Sequence, residues 1–430
     1  MNYIEAVDYI HSLLKFGIRP GLSGMNALLH LLDNPQKALK FVHVAGTNGK
    51  GSTSTAVSNI LIDAGYDVGL YTSPYVCEFL ERVQFNGKPV DKTLFSECVC
   101  KVKNAVEKLE NDGVIITEFE ALTAAAFLCF KALSCHIVVL EVGLGGRLDA
   151  TNVIDTPVVN IITSLSLDHT AILGNTIEEI AFEKCGTIKE NGNVVVSFGQ
   201  PENAVKVINE TVNKNNCELV IPDENLVEIS KTSLFGTEFT YKNEEYKITM
   251  PGLHQVKNMT CVIEACGILQ KQFTISQENI KNGILKTVVP ARVEVLCKRP
   301  LIVLDGGHNE DGAKAFFEAI QSVLDDGKKV YVLAGMMADK AVESSLKPLF
   351  SICSEVVCVT PNNPRAMSAD DLSAIAKKYC SKVESIDDAT VGVDYVMNKI
   401  QKDDIFFLVG SLYLAGEVRG KVVENLKKFN

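Results

Sequence analysis

The chain has 430 residues, of which 47% are hydrophobic and 22% charged, and a formal net charge of −11. This length predicts two domains and this composition a globular protein, while the acidic balance excludes a general nucleic-acid binder, whose affinity comes from clustered Lys and Arg. The opening residues MNYIEAVDYI carry no basic residue, no apolar run approaches the roughly 20 residues of a spanning helix, and the thirteen cysteines show no CxxC or zinc spacing; a cytoplasmic protein with reduced thiols and no membrane partner is expected.

In chain order, strand-length apolar runs recur with helix-length segments between them: FVHVA (41–45), YDVGLY (66–71), HIVVLEV (136–142), VVNIITS (158–164) and NVVVSF (193–198). This alternation predicts βαβ units and a largely parallel sheet covered on both faces.

Directly after FVHVA stand Gly46, Thr47, Asn48, Gly49, Lys50, Gly51 and Ser52, followed by a helical stretch that closes on Gly65. Strand, glycine-rich turn, lysine, hydroxyl and helix are the parts of a phosphate cradle. Backbone N–H groups face the phosphates, Lys50 reaches the terminal oxygens and Ser52 can ligate magnesium. The loop is a variant, since Val44 stands where a strict P-loop has its first glycine and Gly51 separates Lys50 from Ser52. The bland reading is an ordinary glycine-rich turn.

The run from Val139 to Asn152, VLEVGLGGRLDATN, sets Glu141 at the end of an apolar strand before a glycine-rich turn. Ligands of open α/β sheets sit at the carboxyl ends of strands, so Glu141 is placed to hold magnesium beside a nucleotide rather than to be a solvated strand-end acid. Asp168 and His169 follow the next strand in the same way. From the local sequence His169 is equally a second metal ligand or a structural hydrogen-bonding histidine, whereas His43, inside FVHVA, reads as a core histidine with its hydrogen bonds met.

Between about 217 and 250 short polar-alternating pieces predict a small antiparallel excursion, followed by a helix near 254–270. A second series of strands then begins with LIVLD (301–305), KVYVLAG (329–335), EVVCVT (355–360) and IFFLVG (405–410). The stretch 285–296, which holds Pro290, is the natural boundary. The expected architecture is α/β: an N-terminal ATPase domain of P-loop type with a mostly parallel sheet over 1–289, a hinge at 290–296, and a C-terminal Rossmann-like α/β domain over 297–430.

GTNGKGS followed by LEVGLGGRLDATN resembles the signature pair of the folylpolyglutamate synthase/dihydrofolate synthase family, part of the wider Mur-type ligases. TSPYVCEFLERV, TEFE, SLDHTAILGNTIEEIAFEKCGTIK, PGLHQVKN, PARVEV, LDGGHNEDGA and VGSLYLAG continue the resemblance in order along nearly the whole chain. It implies an ATP-dependent ligase that adds L-glutamate to the glutamate carboxylate of tetrahydrofolate through an acyl phosphate, with dihydropteroate as a further acceptor or not. It also implies two magnesium ions. Ser52, Ser73, Glu141 and His169 resemble the metal ligands, and Lys184 a lysine that is carbamylated to hold the second ion. Thr47 to Ser52, Asn258, Arg292 and Asp305 resemble the nucleotide contacts. Arg82, the TEFE residues Thr117, Glu118, Phe119 and Glu120, and Leu148, Asp149 and Ala150 resemble the folate site. His308 and Ser411 resemble residues that place glutamate, and His308 is also the first suspect for a general base. One departure is Tyr75, where the family usually has histidine.

Two other functions compete. A peptidoglycan-building Mur ligase needs a further domain before the phosphate loop, and the residues before Gly46 are too few for one. A plain P-loop NTPase, or a nucleotide-gated binding protein, would leave DGGHN and VGSLYLAG without a purpose. The expected partners are small molecules, and with no amphipathic heptad the chain is expected to be a monomer.

Overall fold

A computed structural model describes residues 1–307, 309–324, 327–338 and 340–427. Among these residues the strands form three sheets. The first comprises β1 (Phe41–Ala45), β2 (Val68–Tyr71), β3 (Val83–Phe85), β4 (Lys88–Pro89), β5 (Ile137–Glu141), β6 (Val159–Ile162), β7 (Asn193–Val196) and β8 (Glu218–Val220), in the order β4-β3-β2-β5-β1-β6-β7-β8. All its pairs are parallel except β2–β3 and β3–β4. β9 (Val227–Ser233), β10 (Gly236–Tyr241) and β11 (Glu244–Ile248) form the antiparallel excursion.

The third sheet runs β12-β13-β17-β14-β15-β16, from β12 (Glu294–Lys298), β13 (Leu301–Asp305), β14 (Val330–Ala334), β15 (Glu355–Cys358), β16 (Val383–Ser385) and β17 (Ile405–Val409). Only its edge pair β12–β13 is antiparallel. The molecule is thus α/β, with a parallel-rich N-terminal sheet and a C-terminal mixed sheet. β12 starts inside the stretch expected to be a hinge, so residues 286–293 connect the helix Gln277–Leu285 to this sheet. β3, β4 and β16 are too short to leave a periodic signal.

Period-two alternation on strands buried on both faces builds the cores. In β5, Ile137 and Val139 pack with Ala56, Val57 and Ile60 of the helix Lys50–Asp63, while Val138 and Leu140 pack with Phe127 and Phe130 of the helix Glu118–Ala132. The next residue on the first face is Glu141, which therefore leaves the strand beside the start of the helix Lys50–Asp63. β13 alternates likewise, Val303 packing with Phe407 and Ile302 with Phe406. No helix of the described residues is long and apolar enough to cross a membrane.

Candidate active site

Four residues join β1 to the helix Lys50–Asp63, and they are held from the side. The Thr47 N–H donates to the Ser164 carbonyl at 2.8 Å, its hydroxyl donates to the Ser166 carbonyl at 3.1 Å, and the Ser164 hydroxyl donates to the Asn48 carbonyl at 3.2 Å. Gly49 caps the helix with φ +90°, and a Cβ there would lie 2.3 Å from Asn258 Oδ1, so any side chain would be both strained and blocked. Lys50 Nζ donates to the carbonyls of Gly46 at 3.2 Å and Thr47 at 3.3 Å, and Lys184 Nζ donates to the same Gly46 carbonyl at 2.8 Å. Two ammonium groups therefore converge on one loop carbonyl. Burial, reinforced by Lys50, lowers the Lys184 pKa from 10.5 to about 7.

Glu141, at the end of β5, lies within the field of Lys50. It is only 4% exposed, and its Oε2 accepts the Ser73 N–H at 3.3 Å. A Cβ on Gly51 would stand 3.7 Å from that oxygen, so the Gly51–Ser52 corner, Ser73 and Glu141 come together. Burial raises the Glu141 pKa from 4.5 to about 7 against the pull of Lys50 and the Ser73 N–H. A buried carboxylate with most of its acceptor capacity unused, beside hydroxyls, is an oxygen donor set suited to a hard divalent cation. His169 has φ +50°, with its Nε2 4.0 Å from Asp168 Oδ2. Burial lowers its pKa, opposed by Asp168 and aided by Lys340, Lys184 and Lys50, so it lies within the field of the same lysines. Among the described residues no three His, Cys, Asp or Glu side chains are gathered for a metal ion.

On the other face of β5 lies a cluster of mixed character. Arg82, 7% exposed, donates from NH1 to Glu118 Oε1 at 2.5 Å, with its guanidinium 5.7 Å from the ring centroids of Phe79 and Phe119. Its Nε is buried without a hydrogen-bond partner. Thr117 and Glu120 bond to the backbone. The Thr117 hydroxyl accepts the Glu120 N–H at 3.3 Å, and Glu120 Oε2 accepts the Thr117 N–H at 2.8 Å. They form a capping box for the helix Glu118–Ala132, a signature legible in T-x-x-E. Asp149 is also committed locally, accepting the Thr151 N–H, the Thr151 hydroxyl and the Leu144 N–H at 2.9, 2.6 and 2.9 Å. It caps the short helix Ala150–Val153, so Leu148 and Ala150 flank a scaffold residue. Behind it, His43 Nε2 donates to the Thr151 hydroxyl at 2.9 Å, since that hydroxyl's own proton goes to Asp149. His43 is neutral, its pKa lowered to about 3 chiefly by burial, and its Nδ1 has no partner.

The connection to the C-terminal sheet is strained where it carries Arg292. Ala291 and Val293 on either side have φ of +55° and +48°, costly for any side chain and most of all for a β-branched one. Asp305, at the carboxyl end of β13, holds this shape by accepting the N–H groups of Val293 at 2.9 Å and Gly307 at 2.8 Å. Ser411, after β17, accepts the Leu414 N–H at 3.1 Å as N-cap of the helix Leu412–Leu426. His308 lies outside the described residues.

Two bonds cross between the sheets at this site. Asn309 Nδ2 donates to Asn48 Oδ1 at 3.2 Å, and Lys340 Nζ meets Asp168 Oδ1 at 2.9 Å with both side chains largely buried. Sequence reasoning misses both Asn309 and Lys340. Each follows the carboxyl end of a strand, β13 and β14, which is the signal that could have found them.

Comparison with known proteins bears on the whole chain. The family model described as Mur ligase middle domain matches residues 44–266, and that described as Mur ligase, glutamate ligase domain matches residues 291–412. A dihydrofolate synthase/folylpolyglutamate synthase of Bacillus subtilis is 36% identical, covering 98% of this chain and 99% of the relative. A folylpolyglutamate synthase of Lacticaseibacillus casei is 34% identical over 97% of this chain and 98% of its own length. The solved structure of E. coli FolC in complex with DHPP and ADP is 26% identical with a TM-score of 0.85, covering 100% of this chain and 99% of that one.

Proposed function

The chain belongs to the Mur ligase family, in its dihydrofolate synthase/folylpolyglutamate synthase branch, and from that premise we propose how it works. It is an ATP-dependent ligase that joins L-glutamate to the glutamate carboxylate of tetrahydrofolate through an acyl phosphate, and that also joins L-glutamate to dihydropteroate. The observation that carries the reading is Glu141, a buried carboxylate that accepts a single N–H and feels the charge of Lys50, whose ammonium shares the Gly46 carbonyl of the phosphate loop with Lys184. The second acceptor is supported by the paired name of the Bacillus relative.

A carboxylate is a poor electrophile, and transfer of the ATP γ-phosphoryl group supplies the leaving group. That transfer needs in-line positioning and cancellation of charge more than covalent help. The N–H groups of Thr47 to Ser52 and the Lys50 ammonium receive the phosphates, while Asn258, Arg292 and Asp305 frame the nucleotide from the hinge side. Ser52, Ser73, Glu141 and His169 would hold one magnesium ion, and Lys184 as its carbamate a second; when bound, the ions offset phosphate charge. At neutral pH a good part of Lys184 is free amine. That form adds carbon dioxide, the nitrogen bonding to carbon and releasing a proton, to leave a carboxylate where an ammonium stood. Arg82 and Glu118 with Phe119 line the folate side, and Ser411 with His308 the glutamate side. The division at 1–289, 290–296 and 297–430 assigns ATP and folate to the first part and glutamate to the last. The working unit is a cytoplasmic monomer acting on small molecules.

The test is glutamate-dependent phosphate release from MgATP with tetrahydrofolate and dihydropteroate in separate reactions. Release with both supports the reading, and release with tetrahydrofolate alone removes the second acceptor. Release that ignores glutamate would replace the reading with a plain NTPase.

A further inference from the structure

Residues 72–78 join β2 to the short helix Phe79–Arg82, and this loop and helix begin and end on the site: the Ser73 N–H donates to Glu141, and Arg82 pairs with Glu118. The Glu81 carboxylate shapes this loop from within. It accepts the N–H groups of Val76 at 2.8 Å, Cys77 at 3.1 Å and Glu78 at 2.9 Å, three consecutive amides on one anion. Two neighbouring side chains then anchor the loop in different halves of the molecule. Tyr75 packs in the N-terminal core, its ring 5.7 Å from that of Phe79, whereas Val76 packs against the C-terminal core beside Leu414, Ala415 and Val418.

The contact on the C-terminal side explains Gly416. Gly416 lies inside the helix Leu412–Leu426, where glycine is disfavoured and therefore needs a reason. A Cβ there would lie 1.9 Å from the Val76 carbonyl oxygen, a backbone atom that cannot step aside alone. Gly420, one turn further on, has open space around it.

We infer that Gly416 is a positioning residue for the folate-side loop, seating Val76 so that Ser73 and Arg82 take their working places only when the C-terminal domain is docked. The inference rests on the ligase reading for its activity readout. It makes Gly416 act on the folate acceptor through the backbone of Val76.

The experiment compares wild type, Gly416→Ala and Gly420→Ala by folate KM, and by hydrogen exchange of the amides at 76–78 in the full chain. The expected result for Gly416→Ala is a rise of about tenfold or more in folate KM, with ATP KM within about twofold, and faster exchange at 76–78. Gly420→Ala should match wild type in both. A merely structural role would lower the amount of folded enzyme and leave folate KM unchanged. Should Gly416→Ala not fold, Val76→Ala, which keeps the carbonyl but removes the side chain's packing against the C-terminal core, unseats the loop without adding bulk and is held to the same outcome. Folate KM and exchange indistinguishable from wild type would overturn the inference. Absence of glutamate-dependent phosphate release in wild type would instead sink the ligase reading, and the exchange data would still judge the loop.

Discussion

Glu141 and Asp149 lie at either end of one glycine-rich turn, are almost equally buried, and both have pKa values raised by loss of water. Their hydrogen bonding differs. Asp149 accepts three donors from its own neighbourhood, while Glu141 accepts one N–H at 3.3 Å. A buried carboxylate whose acceptors are filled lowers the free energy of the fold, and one left unfilled raises it until a cation arrives. Satisfaction rather than burial separates the scaffold acid from the acid available for chemistry.

The largest effect should come from removing the unfilled member. Glu141→Gln is expected to lower kcat by about 10³-fold, roughly 4 kcal/mol of transition-state stabilisation, while raising the metal-free unfolding midpoint. A fall of less than about tenfold in phosphate release would break the contrast. The pH dependence sharpens it. With its pKa raised from 4.5 to about 7, Glu141 binds in the folded protein a proton that the unfolded chain has already released between those values. Its contribution therefore weakens the fold progressively as pH rises from 4.5 to 7 and is constant above, amounting to about 3 kcal/mol. Denaturant melts of metal-free wild type and Glu141→Gln should diverge across that window only.

Lys184 supplies the opposite sign. Its pKa falls from 10.5 to about 7, so the ionised amine weakens the fold below pH 7 and the penalty is relieved between pH 7 and 10.5. Lys184→Met should gain about 4 kcal/mol over wild type at pH 6, the roughly 5 kcal/mol of the shift less about 1 for the lost hydrogen bond to Gly46, and little at pH 10, while losing activity. Bicarbonate should narrow the gap for wild type at neutral pH.

Next in size, Asp149→Ala is expected to cost about 2 kcal/mol of stability, because it removes an N-cap and leaves buried donors without an acceptor. Thermal melting checks this, and a variant as stable as wild type would erase the distinction between the two acids. The smallest effect should follow Lys340→Ala, which breaks the cross-domain pair with Asp168. About 1 kcal/mol of domain docking is lost, read as a several-fold drop in kcat/KM and a more open scattering profile without nucleotide.

Residues that are neighbours in the chain are the legible ones. Gly46 to Ser52 follow an apolar strand and start a helix, and Glu141 ends an apolar strand, so backbone geometry alone sets their place at the sheet's carboxyl edge. Thr117 and Glu120 carry a local signal that the family resemblance assigns to a ligand site, yet their side chains close the start of a helix. Lys340 with Asp168, Asn309 with Asn48 and Val76 with Gly416 leave no such signal, because each pair joins elements far apart in sequence.

By itself, then, the sequence determined the α/β class, the phosphate loop, the acid of β5 and the family resemblance. Each depends on periodicity, strand ends and glycine positions within short windows. Only the tertiary structure decided which buried acid is filled and which is free. It also decided that Lys50 and Lys184 share the Gly46 carbonyl and that Ala291 and Val293 are held in left-handed backbone around Arg292. Those outcomes are set by how two sheets and their loops pack in space, and the free energy of a buried charge depends on every group brought against it, whatever its distance along the chain.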